Sequence, residues 1–281
     1  MNNNEISFNW DIHRACNYNC PYCWFHGKWD EIKSGNVYHS AGELLRVWDN
    51  IYKKYGPVSV SITGGEPFLY PEFVAFIEQA SQQHKFQIIT NLSFDICGFA
   101  KRVNNNNVRV NPSFHPLSAD VNEFIGKALF LKSAGLMDCI TFLAWPPLIK
   151  KYQAYLDLFQ KQGLFLTMQA FYGDFNGVRY PEGYTKEEKN IIFPQLGSRG
   201  GEKYRTDALR TMGRLCNAGK TYGVIQPDGK VQRCGGINGV ESIVGNIFDP
   251  QFRLSDGPKS CSSEICPCNE WAFLLESKPA E

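Results

Sequence analysis

Three cysteines near the start of the chain have a spacing that suits metal chemistry. Cys16, Cys20 and Cys23 occupy eight consecutive positions as C-x3-C-x2-C. Thiolates bind zinc and iron–sulfur clusters, and both a structural zinc ion and a fully covered [4Fe–4S] cluster take four ligands. These three cysteines are one ligand short. The fourth ligand is either a histidine, His13 or His26 in a zinc Cys3His site, or a group from outside the chain.

A second motif, TGGEP at residues 63–67, follows a strand-like stretch, VSVSI. Gly64 and Gly65 lack side chains, so a ligand can approach the backbone closely there. Glu66 adds a carboxylate that is able to hold an ammonium group. A Gly-Gly turn after a strand is commonly only a turn. Its expected position at the same rim as the cysteine loop makes a binding role better supported here.

Strand-like and helix-like segments alternate through the first two thirds of the chain. Apolar runs at 6–12, 58–62, 86–90, 108–114, 138–144 and 164–171 predict six strands, and each consecutive pair is joined by a helical segment. Such alternation predicts an α/β fold with a parallel sheet, either a partial barrel or a flat doubly wound sheet. In both, chemistry lies at the carboxyl ends of the strands, where both motifs fall.

A second group of cysteines lies late in the chain. Its members are Cys216, Cys234, Cys261, Cys266 and Cys268. The segments TYGVIQ and KVQRC flank PDG, which predicts a β-hairpin with Gly229 at its turn. A hairpin of this kind brings the first two of these cysteines together. A zinc ribbon is one interpretation of the group, and an iron–sulfur site is the other.

Composition narrows the class of protein. The chain has 281 residues, 29 basic and 28 acidic, and a net charge of +1, so nothing indicates a general nucleic-acid or anionic-membrane partner. Neither a signal peptide nor a membrane-spanning apolar run is visible, so we expect a cytosolic protein in which clustered cysteines bind metal or do redox work. For the isolated Cys97 and Cys139 we expect simple packing in the core.

The two early motifs together resemble the radical S-adenosylmethionine (radical SAM) superfamily. The resemblance covers residues 5 to about 171 and implies a partial (β/α)6 barrel within residues 1–200. In that family three cysteines hold three irons of a [4Fe–4S] cluster, and the fourth iron chelates S-adenosylmethionine. The resemblance thus implies that Cys16, Cys20 and Cys23 are the cluster ligands and that the missing ligand is the cosubstrate.

Further positions match the family's cosubstrate site. Tyr22 occupies the aromatic position before the third cysteine, where the family's backbone meets adenine. Gly64, Gly65 and Glu66 match the segment that holds the methionyl amino group.

The ends of the fourth and fifth strands supply the remaining candidates. Ser113 or Asn111 is expected to contact the ribose, and the spacing does not choose between them. Ala144 stands where the family often has a glycine near the adenine. His115, in SFHP, faces the same rim and is the candidate catalytic residue.

The late cysteines resemble the auxiliary-cluster extension called SPASM, or its shorter form, Twitch. With five cysteines rather than seven, the Twitch form with one auxiliary [4Fe–4S] cluster within residues 211–281 fits better. Cys216 and Cys234 are the expected ligands from the hairpin. Cys266 and Cys268 are favoured for the other two, and Cys261 is the alternative ligand.

The resemblance implies an enzyme that cleaves S-adenosylmethionine reductively and abstracts hydrogen from a substrate. An external one-electron donor such as flavodoxin or ferredoxin is implied as a partner. A small polar molecule is the favoured substrate, because the fifteen residues before Cys16 leave no room for a leader-recognition domain. The alternatives are a maturase of ribosomally made peptides and a non-enzymatic iron–sulfur or zinc-binding module.

Overall fold

We describe the chain from a computed structural model. The structure describes residues 5–104, 106–196, 210–236, 242–264, 266 and 274–276. Cys268 lies outside the described residues.

One large sheet organises the molecule. Its first six strands are β1 (Ser7–His13), β2 (Ser59–Gly64), β3 (Lys85–Thr90), β4 (Val108–Phe114), β5 (Ile140–Ala144) and β6 (Leu166–Ala170). They lie side by side in chain order, and each pairs with the next in parallel. The six predicted strands and their parallel pairing are confirmed.

Helices fill the connections between these strands. They are α1 (Trp29–Lys33), α2 (Ala41–Tyr55), α3 (Phe73–Ala80), α4 (Ile96–Ala100), α5 (Val121–Ser133), α6 (Pro146–Ile149) and α7 (Tyr152–Lys161), and a further helix, α8 (Lys186–Ile192), follows β6. Side-chain caps fix several helix starts. Ser40 and Glu43 form a capping box on α2, and Asp120 accepts the first free N–H groups of α5.

The outer face of the sheet carries the hydrophobic core. Phe8, Trp10 and Ile12 alternate along β1 and are buried. Trp10 packs against Trp48 of α2 and Phe76 of α3, with ring centroids 5.5 and 5.8 Å apart. The period of two in a strand sends the intervening residues to the opposite face.

The inner face is polar and lines two cavities. One, of about 300 Å³, lies at the amino ends of the strands and is lined by residues such as Asn9, Ser61, Gln87 and Asn111. The other, of about 260 Å³, lies at the carboxyl ends. Side chains from β2, β4 and β6 meet in this second cavity, so the sheet curves around it as a partial barrel does.

The C-terminal part adds strands to the same sheet. β7 (Gly173–Phe175) and β8 (Val178–Tyr180) form a separate hairpin, and β9 (Leu215–Cys216) and β13 (Lys259–Ser260) form a separate antiparallel pair. β10 (Tyr222–Ile225) pairs in parallel with β1, and β11 (Lys230–Gln232) and β12 (Ile243–Asn246) follow it antiparallel. The predicted hairpin is therefore present, and it continues the main sheet to nine strands.

Among the described residues, every helix is too short or too polar to cross a membrane.

Candidate active site

The three early cysteines line the carboxyl-end cavity. The loop that holds Cys16, Cys20 and Cys23 begins directly after β1, as predicted from the order of motif and strand. Two tight turns shape it, because the Cys23 N–H donates to the Cys20 carbonyl at 3.1 Å and the His26 N–H donates to the Cys23 carbonyl at 3.0 Å. These turns fold the C-x2-C segment back on itself, and all three cysteines reach one wall.

Two N–H donors approach the sulfur of Cys16. They are the backbone N–H of Tyr18 at 3.4 Å and the side-chain amide of Asn91 at 3.9 Å. Burial raises the pKa of Cys16 to about 11 and also raises the pKa values of the Cys20 and Cys23 thiols. Without a metal these thiols are therefore protonated, and a bound metal would take the place of the protons.

Across the described residues, no three His, Cys, Asp or Glu side chains are gathered closely enough to hold a single metal ion. His13 is buried, and its Nε2–H donates to the carbonyl of Glu66 at 2.8 Å. His26 lies on the surface with Nδ1 3.1 Å from Asn19 Oδ1. Both histidines proposed for a Cys3His site thus have other partners.

The glycines after β2 are needed for close backbone packing. A Cβ on Gly64 would lie 2.0 Å from the carbonyl oxygen of His13, and one on Gly65 would lie 1.9 Å from that of Ala15. Gly65 N–H donates to His13 O at 2.8 Å, and Glu66 N–H donates to Ala15 O at 2.9 Å. The segment therefore locks onto the cysteine loop, and the two glycines also line the cavity.

Glu66 lies behind the cavity wall. Its buried carboxylate accepts hydrogen bonds from Thr90 Oγ1 at 2.8 Å, from the N–H of Asn91 at 2.8 Å and from the N–H of Phe68 at 3.2 Å. Burial raises its pKa, and these donors oppose the rise. The side chain thus joins the ends of β2 and β3, and the cavity lining does not include it.

Asn91 is a site residue that the sequence analysis missed. It follows β3, lines the cavity, and its amide donates to Asn17 Oδ1 at 3.0 Å besides approaching Cys16. Through Asn91, the Glu66 carboxylate is connected to the cysteine loop. The sequence signal that could have identified Asn91 is its position directly after a strand of the parallel sheet.

The structure distinguishes the two ribose candidates on β4. Ser113 lines the carboxyl-end cavity, whereas Asn111 lines the amino-end cavity. The two residues share a face of the strand, but two residues of strand span roughly 6.6 Å. That rise places them in different cavities.

Tyr22 and His115 form a stacked pair in the cavity. Their rings lie 5.8 Å apart at 21°, and Tyr22 Oη is 3.1 Å from His115 Nδ1. Burial lowers the pKa of His115 to about 4, so its imidazole is neutral at neutral pH, and burial raises the pKa of Tyr22. Trp145, which follows Ala144 at the end of β5, packs on Tyr22 with the ring centroids 5.4 Å apart.

Gln169 and Thr63 complete the polar lining. Gln169 lies on β6 and Thr63 on β2, and both point into the cavity. Within the described part of the chain, the side chains of Thr63, Ser113 and Gln169 make no hydrogen bond. The sequence analysis did not single out Gln169 or Thr63, although both occupy strand ends.

The described late cysteines occupy the C-terminal strands. Cys216 ends β9 opposite Lys259, and the N–H of Cys261 donates to the carbonyl of Arg214 at 2.8 Å. Cys216 and Cys234 pack in one small apolar cluster with Tyr222 and Leu274. Gly229 has a φ of +80° in the turn of the hairpin, as predicted.

The other described cysteines differ in how far they are buried. Cys266 is buried, and the thiol of Cys261 donates to Thr211 Oγ1 at 3.4 Å. Cys139 is half-buried and Cys97 is exposed, so the prediction that Cys97 packs in the core is wrong. α4 buries Ile96 and Phe99, three residues apart, which turns Cys97 outward.

Comparison with known proteins identifies related chains. Residues 10–133 match the family model described as the Radical SAM superfamily. An S-adenosylmethionine-dependent nucleotide dehydratase of Fibrobacter sp. (strain UWH6) is 26% identical over 140 residues, covering 46% of this chain and 41% of that protein. One of the same name from Psychrobacter lutiphocae (strain DSM 21542 / CCUG 56590 / IMMIB L-1110) is 28% identical over 138 residues, covering 44% and 45%. The chain spans less than half the length of these curated relatives.

Solved structures share the fold over most of the chain. The structure of native anSMEcpe with bound AdoMet superposes with a TM-score of 0.63 at 20% identity, covering 86% of this chain and 78% of that one. Streptococcus suis SuiB bound to S-adenosylmethionine gives a TM-score of 0.60 at 15% identity, covering 87% and 62%. At these identities the likeness concerns the fold.

Proposed function

Because residues 10–133 belong to the radical SAM superfamily, we propose that this chain is a radical SAM enzyme that oxidises or rearranges a small polar molecule. When bound by this chain, a [4Fe–4S] cluster and S-adenosylmethionine would supply the one-electron, hydrogen-abstracting chemistry. One observation supports the proposal above all. The three cysteines, the Gly-Gly segment, Ser113 and His115 line a single cavity at the carboxyl ends of the strands.

Cys16, Cys20 and Cys23 would hold the cluster. The residues present suit this group in chemical type, because three cysteines line the same cavity and two N–H donors already approach the sulfur of Cys16. Hydrogen bonds to cluster sulfurs are one way in which a protein sets the reduction potential. Tyr18 N–H and the Asn91 amide would have that role here.

The glycine segment would hold the methionyl end of the cosubstrate. Gly64 and Gly65 present backbone to the cavity, and Glu66 fixes this segment through its contacts with β3. The Ser113 hydroxyl would bind the ribose, and the backbone beside Tyr22 would meet the adenine. These contacts would orient the cosubstrate between β1, β2 and β4.

His115 is the candidate catalytic residue. Its imidazole is neutral at neutral pH because burial lowers its pKa to about 4, and it faces the cavity beside Tyr22. A neutral imidazole can donate a hydrogen bond to a substrate hydroxyl or accept one from it, which would orient the carbon to be oxidised. The aromatic rings around it restrict access of water.

We propose an auxiliary [4Fe–4S] cluster in a Twitch-like domain over residues 211–281. Cys216 and Cys234 would supply two ligands, which is supported by their place in one apolar cluster. Cys266 and Cys268 would supply the others, with Cys261 as the alternative. Four protein ligands would leave this cluster an electron-transfer role, with flavodoxin or ferredoxin as the external donor to the enzyme.

The experiment is product analysis under anaerobic reduction. The purified, iron-reconstituted chain is expected to form 5′-deoxyadenosine and methionine from S-adenosylmethionine. A Cys20→Ala variant is expected to form neither, whereas Cys97→Ala is a matched control because Cys97 is exposed and outside the cavity. Equal cleavage by the Cys20→Ala variant would contradict the proposal.

A further inference from the structure

The carboxyl-end cavity is lined entirely by uncharged side chains in the part of the chain that the structure describes. Its lining consists of cysteines, aromatic rings, small and aliphatic residues, hydroxyls, amides and the neutral His115. Asp, Glu, Lys and Arg are absent from this described lining. Beside the proposed cluster and cosubstrate, a substrate in this cavity would meet hydrogen-bonding groups and aromatic faces and no charged side chain of the described lining.

Three charged residues on the neighbouring elements, Glu66, Lys127 and Arg14, have partners outside the cavity lining. The Glu66 carboxylate receives three protein donors. Lys127 Nζ donates to the carbonyl of Leu92 at 2.9 Å and pairs with Glu123 at 2.7 Å. Arg14 donates to Gln226 Oε1 at 2.6 Å. These contacts direct the nearby charges away from the cavity.

Phosphates and carboxylates are usually bound by Arg or Lys, because burying an anion without a partner is costly. A nucleotide, the substrate in the names of the two curated relatives, carries phosphate. The described lining of this chain offers such a group no cation. It suits hydroxyls and amides instead, since each can both donate and accept toward Thr63 and Gln169.

Gln169 is the polar group best placed for the substrate. It lies on β6, while the cysteine loop and the glycine segment follow β1 and β2, at the other side of the curved sheet. Its amide makes no hydrogen bond within the described chain, so a ligand would satisfy both ends of it. Trp24, 71% exposed at the rim, adds an accessible aromatic face.

We infer that the substrate carries no net charge, that it presents a hydrogen-bonding group to this cavity and that Gln169 binds that group. The inference rests on the proposed function. Such a group, a hydroxyl as in a sugar-like polyol or a neutral amide, occurs both in small metabolites and in peptide side chains. The two sources share one chemistry and are separated by the test.

The test uses the reconstituted holoenzyme and cell extract divided by size into metabolites and peptides. Each part is divided again by ion exchange at neutral pH into non-retained, anionic and cationic fractions. Formation of 5′-deoxyadenosine is measured with each fraction, and compounds bound by the holoenzyme are recovered by equilibrium dialysis and identified by mass. We expect stimulation and binding with a non-retained fraction, and the size class then gives the source.

Variants at Gln169 make the assignment specific. Gln169→Leu removes both hydrogen-bonding atoms at similar volume, so stimulation and binding should fall at least about tenfold. Gln169→Asn, which keeps an amide, should retain part of both. Gln160→Leu, on the exposed face of α7, is the matched control and should behave as the wild type.

Stimulation by an anionic or cationic fraction would overturn the inference, as would stimulation by none or an undiminished response of Gln169→Leu. Basal cleavage of S-adenosylmethionine, measured without any added fraction, distinguishes a failure of the proposed function from a failure of the inference about the substrate. Its absence in the wild type would defeat the proposed function itself. Its presence together with a charged substrate would defeat only the inference about the substrate.

Discussion

Replacing Gly65 by alanine tests how the glycine segment and the cysteine loop fit together. The added Cβ would lie 1.9 Å from the carbonyl oxygen and 2.3 Å from the carbonyl carbon of Ala15. Real Cβ contacts essentially never fall under 3.0 Å, so one segment must move by about 1 Å. Both contacting atoms are backbone, and a side-chain rotation does not relieve the clash.

This displacement of the glycine segment or the cysteine loop would weaken or break two backbone hydrogen bonds. These are Gly65 N–H to His13 O at 2.8 Å and Glu66 N–H to Ala15 O at 2.9 Å. Each backbone hydrogen bond contributes about 1 kcal/mol net, and overpacking costs about 1–3 kcal/mol. We therefore expect Gly65→Ala to lower the free energy of unfolding by about 2–5 kcal/mol.

The assay is urea unfolding of the metal-free chain, followed by iron analysis after anaerobic reconstitution. Gly65→Ala should also bind less iron, because the displaced loop carries Cys16. Gly126→Ala is the control, since nothing lies within 4 Å of its Cβ and Gly126 is exposed within α5. That change should stabilise the chain by about 0.5–1 kcal/mol.

The reasoning would be refuted if Gly65→Ala unfolded at the wild-type urea concentration and bound the full complement of iron. Such a result would mean that the loop relaxes at no cost. Its contact with the glycine segment would then be incidental.

Three further predictions concern single features. Glu66→Gln should lower the free energy of unfolding by about 1–3 kcal/mol, since an amide N–H₂ would face donors from β3; a change in S-adenosylmethionine affinity without loss of stability would show direct contact instead. The pKa of His115 is lowered from about 6.5 in the unfolded chain to about 4, so the stability linked to its neutral form is full above pH 6.5 and lost as the pH falls to 4, about 3 kcal/mol at most; urea unfolding of His115→Gln should lack this part of the pH dependence. Iron analysis should give about eight irons per chain if both clusters form, falling to about four in Cys234→Ala, whereas four irons with one zinc in the wild type would reject the auxiliary cluster.

Local sequence pattern was enough to predict the main sheet. Apolar runs separated by helical segments give parallel strands in chain order, and a motif placed after a strand must lie at the carboxyl end. The three cysteines and the Gly-Gly segment therefore converge in the structure as predicted. The same reasoning could have found Asn91 and Gln169, which also lie at strand ends.

Features that depend on distant parts of the chain were not predictable in this way. β10 pairs in parallel with β1, and Asn9 on β1 bonds the hydroxyl of Tyr222, 213 residues later. No local sequence pattern predicts a contact between residues so far apart in the chain. The position of Glu66 behind the wall likewise depends on Thr90 and Asn91 from the next strand.

Choosing between Ser113 and Asn111 as the ribose contact required knowing how far along β4 each cavity extends. Both residues are polar and share one face of β4, so periodicity treats them alike. Their different positions along the strand place them in the amino-end and carboxyl-end cavities.

Cleavage of S-adenosylmethionine by the anaerobically reduced chain tests the central claim most directly. Mass spectrometry should detect 5′-deoxyadenosine and methionine in equal amounts from the wild type. Alanine at Cys16, Cys20 or Cys23 should abolish both products, because each change removes a ligand from one wall of the cavity. A reconstituted, reduced wild-type chain that yields no 5′-deoxyadenosine, or an alanine variant that yields as much as the wild type, would contradict the account.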